Sequence, residues 1–317
     1  MIQALARSTA VRVLLTAVIL AYLASQLDMR EALRAIVAVN PLHLLIVLGL
    51  VALDRAVMIW RWVLLLRSAG TPVSTREAAR IFLVSSFVGS FLPAGVGADA
   101  ARAYALSRHT RASEAVASVA IDRYLGVVSL TILGAAGSLL SAQLFSPRER
   151  GWIVGAACAL CLLSLTLFWI DWIVDAVLPA RWRAGALGRR IGAVAAAMSE
   201  YRSDPRTLLR VLALSFSVQW LRIVQAYVLG QGLGIDVPFA YYLTFMPVGL
   251  LMLLLPVSIS GFGLPQGVIV WLLRPMGVPD PQSFALSTLI VLTGLAGNLP
   301  GALLYASRRS TPPPPAA

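Results

Sequence analysis

The run Leu42 to Leu66 is apolar but for His43 at its start and the charges Asp54, Arg55 and Arg61. As a helix it extends about 37 Å, and a bilayer hydrocarbon core is about 30 Å thick. Similar runs occur at Val13 to Leu27, Ala115 to Leu144, Trp152 to Leu178, Thr207 to Leu233 and Phe284 to Tyr305. Only a membrane gives six such runs a common solvent. Composition agrees: 59% of residues are hydrophobic and 13% charged, against about 25% charged in soluble domains. The chain therefore reads as an all-α integral membrane protein with about six full spans. No polar stretch is long enough for a soluble domain. Residues 1–309 form a single polytopic membrane domain, and 310–317 a disordered Pro-rich tail.

Two further apolar segments are broken. Twelve apolar residues, Ile81 to Leu92, rise only about 18 Å before Pro93 interrupts them. Gly95 and Gly97 follow, then Asp99 and Arg102. The segment Phe239 to Leu273 breaks similarly at Leu255-Pro256, followed by Ser258, Ser260, Gly261 and Gly263. Non-helical backbone at membrane depth survives only against protein or a wet cavity. Both segments are expected to be re-entrant hairpins that build a polar site near the midplane, as an inverted pair.

All 26 basic residues are Arg. With six spans, seventeen Arg fall in loops on one side and five on the other. Positive charge marks the cytoplasmic side, so both termini are expected there, in a cell inner membrane. The first broken segment then dips from the cytoplasm and the second from outside. The net charge of +12 is thus an orienting and lipid-facing charge, and no nucleic acid is implied. Arg67 to Arg80 reads as a basic connector with interfacial character. In Pro179 to Pro205, Leu187, Ile191, Val194, Ala195 and Met198 recur at helical spacing opposite Arg189 and Arg190, as in a surface-lying helix. Cys158 and Cys161 form a C-x-x-C inside an apolar run and are read as buried packing.

An Arg or Asp at the bilayer centre costs about 2.5–3.5 kcal/mol. The spans carry Asp54, Arg55, Arg61, Asp122, Arg123 and Arg222. The functional reading is a cavity that offers guanidinium groups to an anion. The plain reading is snorkelling to an interface, which suits Arg61 better than Arg55 because Arg61 lies nearer the span's end. Adjacent Asp122 and Arg123 point about 100° apart on a helix, so each needs another partner. Asp99 is expected as the partner of Arg123, and Arg102 as that of Asp122. Gly95, Gly97, Ser258, Ser260, Gly261 and Gly263 would add free backbone N–H groups and hydroxyls for a phosphate or a sugar. The candidate substrate-binding set adds to these Arg61, Asp99, Arg102, Asp122 and Arg123. No nucleophile with a paired base, H-E-x-x-H or Walker loop is present. No enzyme activity, metal or cofactor is expected.

Three stretches resemble the transmembrane region of lysylphosphatidylglycerol synthases, a flippase-like family also found as stand-alone proteins. Phe91-Leu92-Pro93 through Gly97, Asp99, Arg102, Ala103 and Tyr104 is similar to its F-L-P…G-G-D…R-A-Y. Ala117-Ser118-Val119 through Asp122-Arg123 and Gly126 is similar to A-x-x-S-V…D-R…G, and Leu255-Pro256 through Gly263 to L-P-x-S-x-G-G-x-G. Ala98 replaces a usual Gly, and Pro265-Gln266-Gly267 replaces a common Arg-Glu-Gly. The resemblance implies translocation of a phospholipid or polyprenyl-linked lipid between leaflets, with membrane lipids as partners. The alternative is a non-catalytic scaffold for a lipid-modifying enzyme or glycosyltransferase. A homo-oligomer fits either reading.

Overall fold

The structure, a computed structural model, describes residues 29–92, 97–140, 185–252 and 262–308, with a few single positions between 151 and 172. The described residues form helices and no strand: α1 (Met29–Val37), α2 (Pro41–Ser68), α3 (Thr75–Gly89), α4 (Gly97–Leu106), α5 (Ala112–Leu140), α6 (Ala186–Glu200), α7 (Pro205–Gly232), α8 (Phe239–Met252), α9 (Leu264–Leu273), α10 (Asp280–Ala296) and α11 (Leu299–Arg308). Among the described residues, four spans are long and apolar enough to cross a bilayer: Pro41–Ser68, Ala112–Leu140, Pro205–Gly232 and Asp280–Ser307. The expected spans Val13 to Leu27 and Trp152 to Leu178 lie almost wholly outside the described residues, as do Pro93, Pro256 and the tail.

Local chemistry sets the helix starts. Asn40 caps α2 by accepting from the Leu42 N–H, with Pro41 in the first turn, where its missing N–H costs nothing. Ser74 caps α3 by accepting from the Glu77 N–H. Asp204 accepts from the Thr207 N–H at the start of α7, and Pro205 follows. The Ser74 cap corrects the Arg67 to Arg80 reading in part: Arg76 and Arg80 already belong to α3.

The chain direction follows from contacts. The Asn40 N–H donates to Gly232 O, so α2 begins where α7 ends. Leu65 near the end of α2 packs with Val211 near the start of α7 and with Ala117 and Ile121 of α5. α7 is therefore antiparallel to α2, and α5 starts on the Ser68 side. On the same side, Leu106 at the end of α4 packs with Ala78 and Ile81 of α3, and His109 lies 4.0 Å from Glu77. α3 and α4 thus enter and return on the Ser68 side, as a re-entrant hairpin. Gly89 makes this possible, since a Cβ there would lie 2.4 Å from the Ala98 Cα.

The second hairpin opens the other way. The Tyr241 hydroxyl, at the start of α8, donates to the Leu272 carbonyl at the end of α9. Tyr241 and Leu273 pack with Val39 and Val47 on the Asn40 side. The two hairpins therefore dip from opposite faces. Between them, α8 lies along α5, with Leu243 against Gly137 and Pro247 against Gly134.

α6 forms where the spacing predicts a surface helix. It buries Ala195, Ala197 and Met198 against α5 while Arg189 and Arg190 stay exposed. Cys158, expected to be packed inside, is exposed, which corrects that reading; its partner Cys161 is outside the described residues.

Candidate functional site

Four helices, α2, α4, α5 and α7, bring charged side chains to one cavity of about 320 Å³. Asp122 of α5 is its anchor. One carboxylate oxygen accepts from Arg61 Nε of α2 at 2.7 Å, and the other faces Arg102 Nη2 of α4 at 3.1 Å. Asp122 is 1% exposed, so its charge depends on these two cations. Arg102 Nη2 also reaches Asp99 Oδ1 at 2.9 Å, and Asp99 Oδ2 lies 3.4 Å from Arg123 Nε. The result is a chain of alternating charge: Arg61, Asp122, Arg102, Asp99, Arg123. Both pairings expected from the 100° separation of Asp122 and Arg123 are present.

The hairpin supplies the geometry. The short α4 carries Asp99 and Arg102 one turn apart, with Asp99 in the first turn, where a carboxylate suits free N–H groups. Arg102 is held from its other sides by aromatic faces, its guanidinium carbon 5.2 Å from the Trp62 ring and 5.2 Å from the Phe82 ring. Arg61 is 4% exposed and also donates to Ser215 Oγ. It does not snorkel, which corrects the ordering of Arg61 and Arg55 drawn from span position.

A second charge cluster borders the same cavity. Asp54 Oδ2 accepts from Arg55 Nη1 at 3.2 Å, and Asp54 Oδ1 from Arg222 Nε at 3.3 Å. Arg55 also donates to the Gly294 carbonyl in α10. Arg55 and Arg222 line both this cavity and a second one of about 240 Å³, which extends among Gln225, Met246 and Thr293.

The remaining wall is neutral and polar. Ser85 and Ser86 of α3 and Ser90 just past its end line it, each hydroxyl donating to a carbonyl of that helix. Gln219 donates to Gly126 O, and Asn298, between α10 and α11, donates to Ser90 Oγ. Gly97 lines the cavity. Gly95, Ser258, Ser260 and Gly261 lie outside the described residues. Gly263 is described but lies apart from the cavity lining. Its φ of 105° suits only glycine, and its N–H is taken by Gln266 Oε1 at 2.6 Å. The second hairpin reaches the cavity through Leu250 of α8.

Sequence reasoning missed Ser85, Ser86, Ser90 and Asn298. The serines stand i, i+1 and i+5 in an otherwise apolar helix, a spacing that gathers them toward one side. Asn298 carried a signal too, as an amide beside Gly297 within an apolar span.

Known proteins match along the same length. The chain is 24% identical over 289 residues to a UPF0104 membrane protein of Methanothermobacter thermautotrophicus, covering 83% of this chain and 83% of that protein. The family described as the lysylphosphatidylglycerol synthase TM region matches residues 9–301, a stretch that contains both hairpins and every charge of the cavity, and the chain belongs to that family.

Proposed function

We propose that this protein moves a lipid between leaflets, holding the anionic head group in the charged cavity while the hydrocarbon tail stays in the bilayer. One observation carries the reading. Among the described residues, five guanidinium groups and two carboxylates line the cavity between apolar spans, and a third carboxylate, Asp54, pairs with Arg55 and Arg222 beside it. So many intramembrane cations suit an anionic ligand better than packing alone, since each costs about 2.5–3.5 kcal/mol at the bilayer centre. Arg102 and Arg123 hold the phosphate, and Asp99 and Asp122 orient them. A bound head group adds donors' partners that the three carboxylates leave unfilled. The arginine distribution supports a cytoplasmic Ser68 side, in a cell inner membrane with both termini inside. The first hairpin then meets a head group entering from the cytoplasm.

The test is reconstitution into liposomes with a fluorescent phosphatidylglycerol, scored by quenching of the outer leaflet. Wild-type protein exposes label from both leaflets faster than empty vesicles. Arg102→Gln slows exchange about tenfold or more, the worth of one charge-assisted hydrogen bond. Exchange at the rate of empty vesicles, for anionic and polyprenyl lipids alike, rejects transport.

A further inference from the structure

The α2–α7 wall of the cavity carries two guanidinium groups that converge on a poor acceptor. We infer that Arg222, with Arg55 and Met58 beside it, is a further contact for an anionic oxygen of the head group, and that Met58 moves aside to admit it. This rests on the cavity being a head-group site, as proposed above, and adds to Arg102 and Arg123 a residue from another helix.

Three observations carry it. First, Arg55 and Arg222 share Asp54 as their one carboxylate partner among the described residues, at 3.2 and 3.3 Å. Two cations thus stand beside a single counter-charge, at a depth where cations are costly. Second, both reach for the same uncharged atom. Arg222 Nη2 lies 3.1 Å from Met58 Sδ, and Arg55 Nη1 lies 3.4 Å from it. A thioether sulfur is only a weak acceptor, so like charges meet there with little to hold them. Third, the group is within reach of a ligand. Arg55, Met58 and Arg222 all line the cavity. The Arg222 side chain is 26% exposed. Its Nη1 has no acceptor among the described residues and, unlike Arg55 Nε, keeps accessible surface.

A phosphoryl oxygen fits this arrangement. Nη1 and Nη2 form one edge of the planar guanidinium, while Nε stays on Asp54. An anion can therefore take that edge without breaking the ion pair. It displaces only the sulfur, and the unbranched methionine side chain has the freedom to withdraw. Arg55 meanwhile keeps its hold on the Gly294 carbonyl, so the wall stays in place while Met58 moves.

The experiment measures binding of dioctanoyl phosphatidylglycerol to the detergent-purified full chain by thermophoresis. Arg222→Gln leaves Asp54 paired with Arg55 and is expected to weaken binding about tenfold, the worth of one charge-assisted hydrogen bond. The double variant Asp54→Asn, Arg222→Gln restores the wild-type net charge of the cluster. With Arg222 in contact with the head group, it stays as weak as the single variant; with Arg222 only a counter-ion for Asp54, it recovers wild-type affinity. Met58→Leu keeps the side-chain volume and removes the competing sulfur, and should bind about threefold more tightly. If the Arg222 variants do not fold, Met58→Leu decides alone. Unchanged binding in Arg222→Gln, recovery in the double variant, or binding no tighter than wild type in Met58→Leu each overturns the inference. Inorganic phosphate titrated alone should bind roughly tenfold or more weakly than the lipid, for want of tails; equal affinity makes this a site for a free anion and overturns the head-group contact. The liposome assay separates this from the transport reading. Exchange by wild-type protein with Arg222→Gln binding unchanged sinks the Arg222 contact alone, and weakened binding in Arg222→Gln without wild-type exchange sinks transport alone.

Discussion

The two re-entrant hairpins share a plan and differ in what they carry. α3–α4 brings Asp99, Arg102 and three serines to the cavity. α8–α9 is almost wholly apolar, packs along α5, and among the described residues touches the cavity only through Leu250. Their closures differ as well. The first is closed by backbone approach at Gly89, the second by a hydrogen bond from Tyr241 to Leu272 between its arms, while the Gly263 N–H donates to Gln266 within the start of α9. A broken helix is thus a device for ending a segment at mid-depth. Whether it does chemistry depends on the residues placed after the break.

Four substitutions sharpen or break this contrast. Asp122→Asn strips the shared counter-charge from buried Arg61 and Arg102, and should destabilise the charge-bearing half by about 3–5 kcal/mol. Thermal unfolding of the detergent-solubilised protein should show this as the largest drop of the four. Gly89→Ala comes next. Its new methyl meets the Ala98 backbone at 2.4 Å, which cannot yield as a side chain end can, so about 1–3 kcal/mol is lost. The matching change in the second hairpin, Gly249→Ala, meets only the Ile269 side chain at 3.3 Å and should stay within about 0.5 kcal/mol. Equal losses at Gly89 and Gly249 would show that the hairpins are not closed differently. Gln266→Leu falls between these, at about 1 kcal/mol for the lost bond to the Gly263 N–H, and should leave lipid exchange unchanged in vesicles.

Much of this arrangement was legible in the sequence because the bilayer simplifies it. Span length and the two Leu-Pro breaks set the element order. The angular separation of Asp122 and Arg123 forced each to seek a partner, and the short list of intramembrane charges made Arg102 and Asp99 the available ones. Arg61 as the second partner of Asp122 was not legible. Neither was the pairing of Asp54 with Arg222, 168 positions away. Such contacts depend on how α2, α5 and α7 rotate about their axes. Spans that are apolar all round give little periodic signal for that rotation, since lipid and protein faces look alike. Position along a span misled for Arg61 for a related reason: depth says how far a side chain lies from water, and not whether a carboxylate sits beside it.

The last span is interrupted too, at Gly297-Asn298, between α10 and α11. On one side of that interruption the Gly294 carbonyl accepts from Arg55, and on the other Asn298 donates to Ser90. A few residues on, Gly301 lets α11 lie directly on the Leu83 backbone of α3. The two halves of this span are therefore stitched to different places, α10 to the second charge cluster and Asn298 with α11 to the first hairpin. A tilt of the whole span pulls on both seams together, whereas a bend at Gly297-Asn298 lets the hairpin rock while Arg55 keeps its carbonyl, so the interruption works as a clutch between the two.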